Sequence, residues 1–421
     1  MFGLNRRSSG YIRAIVAAQM LAQIGAFALP ALLPDYIERW TLSKTEAGWL
    51  VGIFFAAYVV MVPILVALTD RIPVRRVYLF GTGLTALSHF GFALIADGFW
   101  TGFALRVLAG IGWAGTYMPG LKAIADPLDG VAQSRAVSWH AAGVGISGAA
   151  SFAIAGGVAH WFGPAAAFLL GGATALAALL LAGLVMPATV AKPSGKAASR
   201  RLLDFRPVLQ NRAAMGWIVG YTVHTWELAA LRAWGVTFLA AAFASNGAPE
   251  WLPGPTLLFT LAGLAGIAVS ITGNETAQRW GRARVVTVAM STAAILSLVA
   301  GWSAGLSVSL AAALVVLWNA AIYFDSSALT AGTVQAADKE LRGATMGLHS
   351  MCGYAGGFFG PLGVGLALDF VDGVPGWGLA FGHLAIVTLT GLFILRHLGS
   401  RAALPVPAWP LIEGDGASRP T

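Results

Sequence analysis

Apolar runs of about twenty residues alternate with short polar connections along almost the whole chain. A helix needs about 20 mostly apolar residues to cross the hydrocarbon core of a bilayer. Twelve stretches meet that requirement. They cover 12–33, 46–69, 77–97, 100–125, 135–161 and 164–186, then 213–241, 255–273, 284–305, 308–335, 343–369 and 376–398. The ten-residue alternating strands of an outer-membrane barrel do not appear. Small residues are spaced for close helix packing in lipid, as at Gly353, Gly357, Gly360 and Gly365 of the eleventh span. The first stretch is too long for a cleaved leader and lacks a small-residue cleavage site, so it is expected to stay as span 1.

Composition agrees with the pattern. The chain of 421 residues is 57% hydrophobic and 10% charged, with a mean hydropathy of +0.74. Soluble domains carry about a quarter charged residues. Disorder, coiled coil, collagen and a secreted disulfide scaffold are excluded, and Cys352 alone cannot form an internal disulfide. An isoelectric point near 9.9 raises the question of nucleic acid, and the placement of the basic residues answers it. Of the 26 Lys and Arg, 21 fall on one side of the span map if the N-terminus is inside. Arg39 and Lys44 fall on the other, and Arg106, Lys122 and Arg232 lie within spans. That asymmetry follows the positive-inside rule and predicts both termini in the cytoplasm. The basic charge sets orientation, and nucleic-acid binding is not expected.

Residues 1–186 form one six-span unit and 213–398 another, joined by a cytoplasmic linker at 187–212 and followed by a cytoplasmic tail at 399–421. In the linker, the segment Arg200-Arg201-Leu-Leu-Asp-Phe205 is expected either to lie on the membrane surface or to serve as a flexible tether. Short basic turns recur after spans 2 and 8, and Arg followed by His recurs after spans 4 and 10 (Arg135 with His140, Arg342 with His349). Six plus six spans with repeated turns is the plan of a two-bundle secondary transporter.

Several motifs resemble those of the major facilitator superfamily. The turn Asp70-Arg71-Ile72-Pro73-Val74-Arg75-Arg76 is similar to its signature loop, G-x-L-a-D-R-x-G-R-R, and Arg279-Trp280-Gly281-Arg282 keeps part of that pattern between spans 8 and 9. Arg106 and Gly110 match the spacing of its second motif in span 4, and Gly360-Pro361 resembles a step that antiporter members carry in span 5. Val66 and Pro73-Val74 replace two glycines of the loop, Gln278 stands where the second loop has an acid, and span 5 lacks the Gly-Pro step. The resemblance covers nearly the whole chain. It implies an all-α polytopic membrane protein with twelve transmembrane helices in two six-helix bundles. It further implies a bacterial inner-membrane, monomeric transporter in which spans 1, 4, 7 and 10 line a central cavity. Asp70, Arg71, Arg75, Arg76, Arg279 and Arg282 would then tie the bundles together on the cytoplasmic side as a gate; the alternative for the arginines is simple orientation anchoring.

Ionisable residues inside spans are costly unless they pair or face water, which makes them functional candidates. Lys122 and Asp126, four apart, can pair on one helix face. In span 7, His224 and Glu227 share a face, whereas Glu227 and Arg232 stand about 140° apart and should not pair within the helix. Asp325 lies about 20 Å deep in span 10. Carboxylates in low dielectric can take up and release protons, so Glu227 is the expected proton carrier, with His224 as modulator and Asp325 as alternative carrier. A buried pair with a neighbouring arginine is the competing account of Glu227. Arg106 is the expected cavity cation, or else a helix–helix lock onto backbone carbonyls. Arg232, Tyr117, Trp226, Asn319 and Tyr323 are further cavity candidates, although aromatics in such spans commonly pack or anchor.

The GxGxxG match at Gly143–Gly148 lies inside a span with no preceding strand, and the GxSxG match at Gly301–Gly305 falls in a short outer turn. Neither supports chemistry. No metal motif, cofactor or enzymatic activity is expected. The expected function is secondary active transport of a small organic or anionic solute, coupled to protons and working by alternating access. Proton-driven efflux of a toxic or amphipathic compound is the alternative, and a polytopic membrane enzyme, channel or sensor is the alternative from a different class.

Overall fold

The computed structural model describes residues 6–188, 205–247 and 249–399. The segment 200–205, expected on the membrane surface or as a tether, lies outside the described residues except for Phe205, as does the tail at 400–421. Among those described, the regular structure is entirely helical: α1 (Ser9–Gln23), α2 (Ala28–Ala31), α3 (Leu33–Arg39), α4 (Lys44–Leu68), α5 (Val74–Leu94), α6 (Phe99–Ala125), α7 (Gly130–Phe162) and α8 (Pro164–Val185) precede the linker. After it come α9 (Arg206–Gln210), α10 (Arg212–Asn246), α11 (Pro255–Trp280), α12 (Arg282–Ser303), α13 (Val308–Ala336), α14 (Arg342–Phe370) and α15 (Gly373–Gly399), with one turn of 3-10 helix before α14.

Ten of the described helices are long and apolar enough to cross a membrane. The expected first span is instead broken into α1, α2 and α3. Pro30 and Pro34 lack the amide that a continuous helix needs, and Pro34 opens α3 at its first turn. The 27-residue α6 holds Arg106, Lys122, Pro119 and several glycines, which dilute its apolar character. The broken α1–α3 unit and α6 fall at the positions of the other two expected spans.

The chain reversals put α6, α7 and the linker ends at one face, here called the linker face. Arg7 Nε donates to the Pro127 carbonyl at 2.9 Å, and Asn211 Nδ2 donates to the Ala336 carbonyl at 2.9 Å, binding that face within each half. The opposite, far face carries the α3–α4 turn and the end of α14. There Ser43 caps α4 in a capping box with Glu46.

The halves meet along α4 with α14, α7 with α11, and α2 and α3 with α10. Glycine permits the closest of these approaches. A Cβ at Gly48 would stand 2.7 Å from the Pro361 carbonyl oxygen, and one at Gly52 would stand 2.8 Å from that of Phe358. Thr260 Oγ1 on α11 donates to the Ala149 carbonyl at 2.9 Å and accepts from the Ala153 amide at 2.9 Å on α7. These links run from the far face to mid-height, where Tyr58 and Tyr354 pack with ring centroids 4.2 Å apart and planes tilted by 46°.

Candidate functional site

The deep charges fall into separate settings. His224 on α10 and Asp325 on α13 meet, Nδ1 to Oδ1, at 2.7 Å, and both side chains are almost wholly buried. The approach is a close contact without the alignment of a hydrogen bond. Tyr221, one turn earlier on α10, stacks with His224 at 5.7 Å and with His349 of α14 at 3.8 Å. His349 Nδ1 lies 3.0 Å from Thr333 Oγ1. Imidazole, carboxylate, phenol and a second imidazole thus form one buried cluster across α10, α13 and α14.

Glu227 stands one turn from His224 with other partners. Trp318 Nε1 donates to its Oε1 at 2.6 Å, and Thr388 Oγ1 donates to its Oε2 at 2.9 Å. Both donors are neutral, so the arginine pairing open to Glu227 from the sequence is not realised. His224 belongs with Asp325, and Glu227 stands apart from both.

The two membrane arginines differ. Arg106, only 3% exposed, donates through Nε to the Leu50 carbonyl at 3.2 Å and lies 4.7 Å over the Phe54 ring, both on α4. In this conformation its contacts are those of a lock between α6 and α4. The helix phase turns Arg106 into the first half. Arg232 is partly exposed and lies between the halves, 5.3 Å from the Phe27 ring centroid on one side and 5.7 Å from that of Tyr323 on the other. Its Nη2 donates to Tyr323 Oη. Asn319 is spent on the Ala262 carbonyl at 2.8 Å, joining α13 to α11. Trp226 Nε1 reaches His383 Nε2 at 3.4 Å, and its ring stacks on Phe359. Tyr117 remains partly exposed beside His140, ring centroids 5.7 Å apart.

The expected gate residues make their bonds within their own halves in this conformation. Asp70 pairs with Lys122, which also stands 3.9 Å from Asp126. Burial holds the Asp126 carboxyl above the ordinary carboxylate range against the pull of Lys122. Arg75 Nη2 donates to the Gly183 carbonyl at 2.7 Å, and Arg282 Nη1 donates to Asn274 Oδ1 at 3.2 Å and to the Ala328 carbonyl at 3.1 Å. Arg71, Arg76 and Arg279 are exposed. The tie across the halves instead sits on the far face, where Asp369 of α14 accepts the Lys44 and Thr45 amides of α4, each at 2.8 Å.

Sequence reasoning missed Asp369. It also missed the glutamines of α1: Gln19 is buried, and Gln23 Oε1 accepts from Ser147 Oγ of α7 at 3.3 Å. The glutamines in an otherwise apolar span 1 were the available signal. Among the described residues, no group of three or more His, Cys, Asp or Glu is placed to hold a metal ion.

Comparison with known proteins matches this architecture. The family model described as Major Facilitator Superfamily matches residues 15–361. An uncharacterized MFS-type transporter of Bacillus subtilis (strain 168), YwoD, is 29% identical over 114 residues, 27% of this chain and 25% of its own length. The crystal structure of the nucleoside transporter NupG superposes with a TM-score of 0.73 at 14% identity, over 92% of this chain and 98% of that one. A bacterial homolog of the human lysosomal transporter Spinster, inward-facing and unoccupied, gives 0.72 at 15% identity, over 94% and 96%. At these identities the structural likeness speaks for the fold.

Proposed function

The chain belongs to the Major Facilitator Superfamily, and from that premise we propose that it is a proton-coupled secondary transporter of a small organic solute. Its substrate path lies between the bundles 1–186 and 213–398, which rock about a central site to give alternating access. The linker face is the cytoplasmic face of a bacterial inner membrane, with both termini on that side, and the working unit is a monomer. The links between the halves described above, from mid-height to the far face, fit a conformation closed to the outside.

The observation that carries the coupling is the contact of His224 with Asp325 inside the bundle. A carboxylate and an imidazole 2.7 Å apart interact strongly, so a proton taken up or lost by either changes the charge of the pair by one unit. In low dielectric that change is expensive unless solute or helix positions change with it, which is the physical content of coupling. Glu227, held by neutral donors, is a second proton-holding group one turn away. Proton transfer and solute binding then share α10 and α13, the helices that also carry Arg232 and Tyr323. Efflux of an amphipathic compound uses the same elements in the reverse direction.

The experiment is transport in proteoliposomes with Asp325→Asn and Glu227→Gln. Asp325→Asn should abolish uptake driven by an imposed pH gradient but leave solute counterflow. Full proton-driven uptake by both variants would remove the carboxylates, and the coupling reading with them.

A further inference from the structure

We infer that the solute is an organic monoanion and that Arg232 binds its charge. The inference rests on the transporter reading above and names the substrate class of the same central site.

An arginine keeps its charge in any protein setting, and a cation at mid-membrane needs a counter-charge, a backbone carbonyl or water. Arg106 meets that need by burying itself against a carbonyl and a ring of α4. Arg232 is built differently. Phe27 belongs to the first half and Tyr323 to the second, so the guanidinium lies in the seam that alternating access opens and closes. Among the described residues, no carboxylate stands within ion-pair distance of it. The two deep acids are occupied elsewhere, Glu227 by Trp318 and Thr388, and Asp325 by His224. Tyr323 Oη takes one of the five guanidinium N–H groups. The planar fork that remains suits two parallel hydrogen bonds to a carboxylate.

The surroundings restrict the body of the solute. Gln23, at the end of α1, and Phe27, after the break, both reach α7, at Ser147 and Ser151, which stand one turn apart. The Gln23 side-chain carbonyl oxygen accepts from Ser147, which leaves its amide nitrogen to donate to a polar atom of the solute. At mid-height the seam is walled by Tyr58, Tyr354 and Trp113, with Tyr221 beyond them. One cation among aromatic walls favours a single negative charge on an apolar or aromatic body over a polyanion or a sugar. The charge count agrees: a monoanion moving with one proton is electrically neutral, so the membrane potential does not oppose it.

Thermal unfolding of the purified full-length protein in detergent, at fixed pH and ionic strength, tests the assignment without any gradient. The probes are benzoate, phenylacetate, butyrate and succinate, with benzamide, phenylacetamide and butyramide as uncharged counterparts. The expected result is a Tm rise of several degrees with at least one monocarboxylate and none with its amide. Arg232→Gln should weaken that monocarboxylate's Kd at least tenfold. Arg232→Lys, which keeps charge and loses the fork, and Tyr323→Phe, which keeps the ring, should each weaken it several-fold and serve if Arg232→Gln does not fold. The inference is overturned if the amides stabilise as well as the acids, if no acid stabilises, or if the Arg232 variants bind acid like the wild type. Acid binding without pH-driven uptake would refute the coupling and leave this assignment standing. pH-driven uptake of an uncharged solute would do the reverse.

Discussion

Replacing Asp369 should loosen the far face. The first amides of α4 have no partners within their own helix, a position every helix N-terminus shares. Ser43 Oγ accepts from the Glu46 amide, but Lys44 and Thr45 direct theirs to Asp369 of the opposite half, both at 2.8 Å. Hydrogen bonds to a charged acceptor contribute about 1.5–3 kcal/mol when protected, and an anion at a helix N-terminus adds about 0.3–1 kcal/mol. Asp369 is exposed, so water competes for both contributions. Asp369→Asn keeps one acceptor oxygen but turns an amide group toward an N–H donor, a net loss of about 1–2 kcal/mol after that discount. That corresponds to roughly a 5- to 30-fold shift of the equilibrium toward a far-face-open state. Pulsed electron–electron spin-resonance distances would read it in a Cys352→Ser background. One label pair at Trp100 and Leu306 reports the far face, and another at Val131 and Trp280 reports the linker face; all four side chains are exposed. The variant should gain a longer far-face distance and lose the matching linker-face population. Distributions identical to those of the parent would refute the claim that Asp369 holds the halves together.

Trp318→Phe removes one of the two donors to Glu227 and leaves a buried carboxylate half satisfied, so thermal unfolding should report a loss of about 1–3 kcal/mol. Gly273→Ala would drive a methyl group into the Phe324 carbonyl between α11 and α13, whereas Gly98→Ala meets nothing within 4 Å. The first should cost about 1–3 kcal/mol and the second should change Tm little beyond the error of the same scan.

The spans were legible because an apolar run of bilayer length admits almost no other reading, and the basic turns between them ordered the map. The break at Pro30 and Pro34 was legible too, but hydropathy averaged over twenty residues hides a proline pair inside an apolar stretch. Within single helices, angular counting worked: Lys122 stands beside Asp126, and Glu227 and Arg232 go to different partners. Contacts between distant helices were not legible. His224 meets Asp325 across 101 positions and Asp369 meets Lys44 across 325, and nothing local in either segment encodes those meetings. Arg106 shows the same limit, since its depth follows from the sequence but the carbonyl it faces follows from how α4 and α6 pack.

The central claim is uphill transport driven by protons through the seam between the halves. Proteoliposomes holding the wild-type protein, loaded at one pH and diluted into another, should accumulate the monocarboxylate identified by thermal stabilisation above its outside concentration. A protonophore should collapse that accumulation. A solute level that stops at the outside concentration, whatever the pH difference, would describe a passive channel and contradict the account.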